Sequence, residues 1–192
     1  MKKIEFLKPV FTKNDFPKEN LHQLILCGRS NVGKSSFINS IFNTKIAKTS
    51  STPGKTRSLN FYKVENKFFI VDLPGFGFAK VSRKERDEWN KLILALLSNY
   101  NSIKVAFHII DSRHSPQESD IELNQFIRQK EIPYFVILNK VDKLNQKEKS
   151  ESIKRTIEFF PELIVNENLF LFSALNGFGK KEIFNLISKF FL

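Results

Sequence analysis

Residues 28–35 read Gly-Arg-Ser-Asn-Val-Gly-Lys-Ser, the spacing at which a loop turns backbone N–H groups onto phosphate oxygens. Side chains at Gly28 and Gly33 would block those N–H groups, so bare backbone stands there. Lys34 supplies a point charge for the β- and γ-phosphates, and the Ser35 hydroxyl is placed to hold Mg²⁺. The apolar run Leu24, Ile25, Leu26, Cys27 before the loop reads as a buried strand. Ser36 through Phe42 reads as a helix whose positive N-terminus faces the phosphates.

A second tetrad, Asn139-Lys140-Val141-Asp142, follows the β-rich run Tyr134 to Leu138. Guanine presents N1–H and an exocyclic amine side by side, and one carboxylate accepts from both. Adenine offers neither there, which would leave Asp142 buried and unpaired at a cost of ~1–3 kcal/mol or more. The Lys140 stem can lie along the base, and the Asn139 amide can bridge base and phosphate loop. Alone the tetrad also reads as a solvated turn. Behind a strand and downstream of a phosphate loop it reads as a guanine site.

Between the two lies Asp72-Leu73-Pro74-Gly75, ending the apolar run Phe68 to Val71. The Asp72 carboxylate suits a water-mediated Mg²⁺ contact, and the Gly75 N–H suits a γ-phosphate. An ordinary strand-to-turn Asp-x-Pro-Gly is the competing reading. Ser173-Ala174-Leu175 after Leu169 to Phe172 could be a plain strand end, but its position suits a backbone N–H on guanine O6.

The stretches 28–36, Thr49 to Thr56, Leu59-Asn60-Phe61 and Val71 to Ser82 together resemble the EngB family of bacterial GTPases, also called YsxC or YihA. The similarity runs from about Phe6 to the C-terminus. Two departures are visible: Phe76 and Phe78 stand where the family usually has tyrosine, and Asn139 where threonine is common. The resemblance implies that Thr56 joins Ser35 on Mg²⁺ when GTP is bound. The nucleotide contacts it implies are Gly28, Arg29, Ser30, Asn31, Val32, Gly33, Lys34, Ser35 and Ser36 in the phosphate loop. Gly54, Lys55, Thr56, Arg57 and Ser58 join them, then Asp72, Leu73, Pro74 and Gly75. On the base side stand Asn139, Lys140, Val141 and Asp142, with Phe172, Ser173 and Ala174. No catalytic residue is assigned.

The positioning elements alternate: strand 22–27, helix 34–43, strands 58–65 and 67–73, helix 83–99, strand 104–110, helix 117–130, strand 133–138, helix 146–160, strand 168–173 and helix 179–191. The two strands joined at Glu65-Asn66 form an antiparallel hairpin, and the others should run parallel. The expectation is an α/β P-loop NTPase fold: a three-layer sandwich on a six-stranded, mostly parallel sheet with one antiparallel strand. Residues 1–20 read as an extended arm and 21–192 as one GTP-binding domain. The loops 44–57 and 74–82 read as switches.

One cysteine among 192 residues excludes a disulfide framework, and no apolar run approaches a membrane span. The reading is a soluble, monomeric, cytoplasmic protein with no membrane partner. Cys27 reads as a buried strand thiol, His22 and His108 as structural, and Asp111, Arg113 and His114 as a salt-linked loop. Net charge is +11, and Gly28 to Val64 holds Arg29, Lys34, Lys45, Lys48, Lys55, Arg57 and Lys63 with no Asp or Glu. Part of that pattern complements a polyphosphate or reflects lysine abundance; Lys45, Lys48 and Lys63 are far in sequence from the phosphate loop, and a basic surface that includes the switches suits RNA phosphates. The resemblance implies the large ribosomal subunit, its rRNA and proteins, as partner, and GTP or GDP with Mg²⁺ as ligands.

Phe76 occupies the place where many GTPases carry a water-orienting glutamine, so unaided hydrolysis should be slow. A K⁺ ion held partly by Asn31, as in related GTPases with Asn there, is one source of the missing stabilisation; a plain loop residue is the other reading. Three functions stay in view: a GTP-switched assembly factor of the large subunit, a regulator of cell division and septation, and a P-loop kinase. The guanine tetrad disfavours the third.

Overall fold

The computed structural model describes residues 3–48, 58–75, 91–96 and 102–192. Strands β1 (Ile4–Val10), β2 (His22–Cys27), β3 (Leu59–Val64), β4 (Phe68–Asp72), β5 (Ile103–Asp111), β6 (Tyr134–Asn139) and β7 (Leu169–Leu171) form one sheet in the order β1-β3-β4-β2-β5-β6-β7. Helices α1 (Lys34–Phe42), α2 (Glu118–Gln129), α3 (Gln146–Phe159) and α4 (Lys180–Phe191) cover its faces. Residues 91–96 are helical too; the rest of the helix expected at 83–99 lies outside the described residues.

Side-chain alternation along β2 divides the core. Leu24 and Leu26 face α1 and α4, joining Phe37, Ile38, Phe107, Ile183 and Ile187. Ile25 and Cys27 face the other layer, with Phe61, Phe69, Leu92, Leu96 and Ile127. Both faces are apolar because helices cover both, as parallel sheets require. The three-layer α/β fold is therefore as expected, with β3 the reversed strand, antiparallel to β1 and β4. Residues 65–67 join β3 to β4, with Glu65 and Asn66, both at positive φ, at the centre of a turn closed by the Lys67 N–H on the Val64 carbonyl.

The sheet has seven strands rather than the expected six. Residues 4–10 of the extended arm pair with β3 as an edge strand, and a register shift between Phe6 and Pro9 hides it. Ile4 and Val10, six residues apart, would share a face in a regular strand, but the extra residue sends them to opposite core layers, so the segment lacks a period of two. Pro9 is tolerated because an edge strand leaves half its N–H groups unpaired.

The parallel strands β2, β4, β5, β6 and β7 end on one side of the sheet. β2 lies between β4 and β5, with α1 following it on one face and the 91–96 helix on the other. A crevice at such a reversal is where open α/β sheets bind ligands.

Candidate nucleotide-binding site

The phosphate loop leaves β2 at Gly28 and enters α1 at Lys34. Gly33, the residue before the helix, has φ 102°, and a β-carbon there would strike the Asn139 side-chain amide. Gly28 has φ 141°, and a β-carbon would strike the Ile109 carbonyl of β5. Only glycine satisfies both demands. Lys34 is buried, its ammonium donating to the carbonyls of Gly28 at 2.9 Å and Arg29 at 3.2 Å. Burial lowers its pKa, with Asp72 pulling the other way.

Asp72 ends β4 beside α1. Its Oδ2 accepts from the Ser35 hydroxyl at 3.4 Å, while Oδ1 is buried with no hydrogen-bond partner among the described residues. Burial lifts its carboxyl to about 6, against the opposing pull of Lys34 and Ser35. A buried carboxylate oxygen with spare acceptor capacity, next to a serine hydroxyl, is an oxygen-donor set that fits Mg²⁺. Ser35 and Asp72 are the residues that would hold the ion, Asp72 through water, and its chemistry would be to offset phosphate charge. Leu73 continues from β4 by donating to the Leu26 carbonyl at 2.9 Å, and Pro74 is buried. Gly75 then lies against the loop, where an added β-carbon would be 2.6 Å from the Ser30 backbone.

The base-side residues come from the ends of β6 and β7. Asn139 is buried, and its Nδ2 donates to the Val32 carbonyl at 2.8 Å while its Oδ1 accepts from the Lys140 N–H at 2.8 Å. Lys140, at φ 68°, sends its ammonium to the Asn31 carbonyl at 2.6 Å. The tetrad is thus tied to the phosphate loop by two side chains, Asn139 and Lys140. Asp142 Oδ1 accepts from the Ser173 hydroxyl at 2.6 Å, and that hydroxyl in turn accepts from the N–H groups of Leu175 and Asn176. Val141 is buried, and its N–H donates to the Phe172 carbonyl. Phe172 packs under Phe37 of α1 with ring centroids 4.9 Å apart, tying the base side to the phosphate side. Ala174 follows, half-buried.

Arg29 and Ser30 are half-buried in the loop, Asn31 is exposed and Ser36 is half-buried in the first turn of α1. Ser58 is buried at the start of β3, its hydroxyl 3.2 Å from Asn60 Oδ1. Gly54, Lys55, Thr56 and Arg57, and the loop phenylalanines Phe76 and Phe78, lie outside the described residues.

Two contacts were not read from the sequence: the Ser173 hydroxyl on Asp142, and the Asp111 carboxylate on Lys140 Nζ at 2.9 Å. The Asp-Ser-Arg closing β5 was a usable signal for the second, and its expected salt link to Arg113 is present at 2.7 Å. His108 is fully buried between Tyr134 and Asp120, a structural setting as expected. Cys27 is the buried strand thiol expected: burial raises its pKa, and it donates to the Phe107 carbonyl.

The MMR_HSR1 family, described as 50S ribosome-binding GTPase, matches residues 23–140. The elongation factor Tu GTP binding domain matches residues 96–191. A probable GTP-binding protein EngB of Thermoanaerobacter pseudethanolicus is 39% identical over 191 residues, spanning 99% of this chain and 98% of that protein. Its counterpart in Ligilactobacillus salivarius is 43% identical, spanning 90% of this chain and 88% of that protein. The crystal structure of a probable GTP-binding protein EngB aligns with TM-score 0.70 and 29% identity over 87% of this chain and 97% of that one. Era in complex with MgGDPNP and nucleotides 1506–1542 of 16S ribosomal RNA aligns with TM-score 0.68 and 25% identity, over 90% of this chain and 57% of that one.

Proposed function

From the premise that this chain belongs to the EngB family of GTP-binding proteins, and is a GTPase, we propose that it is a Mg²⁺-dependent, slowly hydrolysing switch that assists assembly of the large ribosomal subunit. The observation that carries the reading is the pair of hydrogen bonds from Asn139 and Lys140 to the carbonyls of Val32 and Asn31. They join a guanine-reading tetrad to a phosphate loop in one site, so base and phosphates are recognised together. Ser35 and Thr56 would hold the metal in the GTP form, which ties residues 44–57 to the γ-phosphate. The subunit assignment draws on the family's description and on the basic balance of the chain. On this reading the protein acts as a cytoplasmic monomer on rRNA and ribosomal proteins; among the described residues no helix is long and apolar enough to cross a membrane.

A ligand shifts a switch only by its differential affinity for the two states. Purified protein should therefore cosediment with large subunits more strongly in a GTP analogue than in GDP. Identical sedimentation in both would remove the switch, and none in either would remove the assembly-factor reading and favour the division regulator.

Slow hydrolysis follows from phenylalanine at position 76, which cannot orient water. K⁺ held partly by Asn31 is the cation proposed to supply the missing charge. Single-turnover hydrolysis should run faster in K⁺ than in Na⁺, and Asn31→Ala should abolish the difference. Equal rates in the two salts rule the ion out.

A further inference from the structure

Asp111 closes β5 beside Lys140 of the tetrad, and its carboxylate is shared by two cations. Arg113 grips it twice, Nε to Oδ1 at 2.9 Å and Nη2 to Oδ2 at 2.7 Å. The Arg113 backbone N–H adds a third bond to Oδ1 at 3.2 Å, a local turn that aims the guanidinium back at its own neighbour. The second cation is Lys140, whose ammonium lies 2.9 Å from Oδ2 and also donates to the Asn31 carbonyl at 2.6 Å. Two acceptors from different elements, the end of β5 and the phosphate loop, therefore fix the tip of the Lys140 side chain. Its Cε lies 3.9 Å from where a β-carbon on Gly33 would sit, so the stem runs close over the loop glycine.

We propose that Asp111, oriented by Arg113, is a positioning residue for guanine-nucleotide binding that holds the Lys140 side chain in its base-contacting conformation before nucleotide arrives. The physical reason is conformational entropy. A lysine stem is among the most flexible side chains, and ordering it against a base opposes binding. A stem already tethered at its tip has lost that freedom during folding, so less is lost when the nucleotide binds. Arg113 has a second effect: it offsets the Asp111 charge, which would otherwise repel a polyphosphate.

The inference rests on reading Asn139 to Asp142 as the guanine site, and a double-mutant cycle separates the two. GDP affinity is measured by titration for the wild type, Asp111→Asn, Lys140→Ala and the double variant. Asp111→Asn should weaken GDP binding about tenfold, or ~1.4 kcal/mol. In the Lys140→Ala background the same change should cost less than about twofold, because the group it positions is gone. Equal losses in both backgrounds would overturn the proposal. The Arg113 side chain is 42% exposed, so Arg113→Ala should stay folded with only a modest loss of stability. Its expected effect is about a threefold loss of GDP affinity that also vanishes without Lys140; it decides the matter should Asp111→Asn fail to fold. Asp142→Asn reports on the underlying reading, since an amide can donate to the 2-oxo group of xanthine and preference should move toward xanthosine nucleotides. Unchanged guanine preference in that variant faults the base reading itself, whereas a moved preference with an additive cycle faults only the role of Asp111.

Discussion

Asp72 and Asp111 both end strands at the site, both are buried, and they titrate in opposite directions because of the cations that reach them. Burial raises Asp72 to about 6, with Lys34 and Ser35 offsetting it only in part. Burial also opposes ionisation of Asp111, but Arg113 and Lys140 outweigh it and hold that carboxyl at about 2. Asp72 therefore keeps an acceptor oxygen available to a ligand, while Asp111 is committed to its neighbours. The linkage signs differ accordingly. A depressed carboxylate contributes stability above its unfolded value near 3.8 and loses it as pH falls toward 2; a raised one, like Asp72, favours the folded state at low pH and loses that contribution as pH rises through 6. With allowance for the exposed guanidinium, the Asp111 contribution is about 1–2 kcal/mol. In urea unfolding between pH 4.5 and 2, wild type should lose about that much more stability than Asp111→Asn. Parallel pH profiles would show that the Arg113 and Lys140 contacts do not stabilise the fold.

At the scale of elements, what was legible in the sequence was whatever physics requires to be contiguous. Backbone wrapped around phosphate needs neighbouring residues, so 28–35 could be read directly, and so could the tetrad at 139–142, set on one turn after β6. Nearly every strand and helix followed from apolar runs and their caps. The exceptions share a cause. β1 was missed because its register shift breaks the alternation that announces a strand. The Ser173 contact to Asp142 joins the ends of β7 and β6, and the Asp111 contact to Lys140 joins β5 to β6; both exist only once the sheet sets its register. The stretch 44–57 read as loop throughout, yet its beginning is anchored. Asn39 of α1 donates to the Ala47 carbonyl at 2.8 Å and accepts from the Ala47 N–H at 2.9 Å, with Ala47 buried in the core. No periodicity encodes a side chain that replaces a strand partner for one residue.

Across the whole molecule the +11 charge is unevenly usable, and the structure sorts the lysines that composition lists together. Lys63 lies in an acid-free stretch of sequence, but it pairs with Glu19 at 3.1 Å and Glu5 at 3.8 Å and its side chain is only 16% exposed. It is withdrawn from any partner. Lys45 and Lys48 are exposed, flank the anchored Ala47, and form no ion pair among the described residues. Cations held on a fixed segment and not neutralised by acids are the ones that can displace counterions from RNA, and each phosphate contact steepens the salt dependence of binding by roughly 0.7–0.9 in log–log slope. The test is cosedimentation with large subunits across a salt series in a GTP analogue. Replacing both Lys45 and Lys48 with glutamate should weaken binding and flatten the slope by roughly 1.5, with GDP affinity nearly intact because neither side chain belongs to the phosphate loop. Lys63→Glu should leave the slope unchanged, since its charge is already matched within the protein. A slope that falls in Lys63→Glu by half as much as in the double variant, in proportion to the charge removed, would mean that net charge alone drives the association; no change in the double variant would place the RNA-facing surface elsewhere on the molecule.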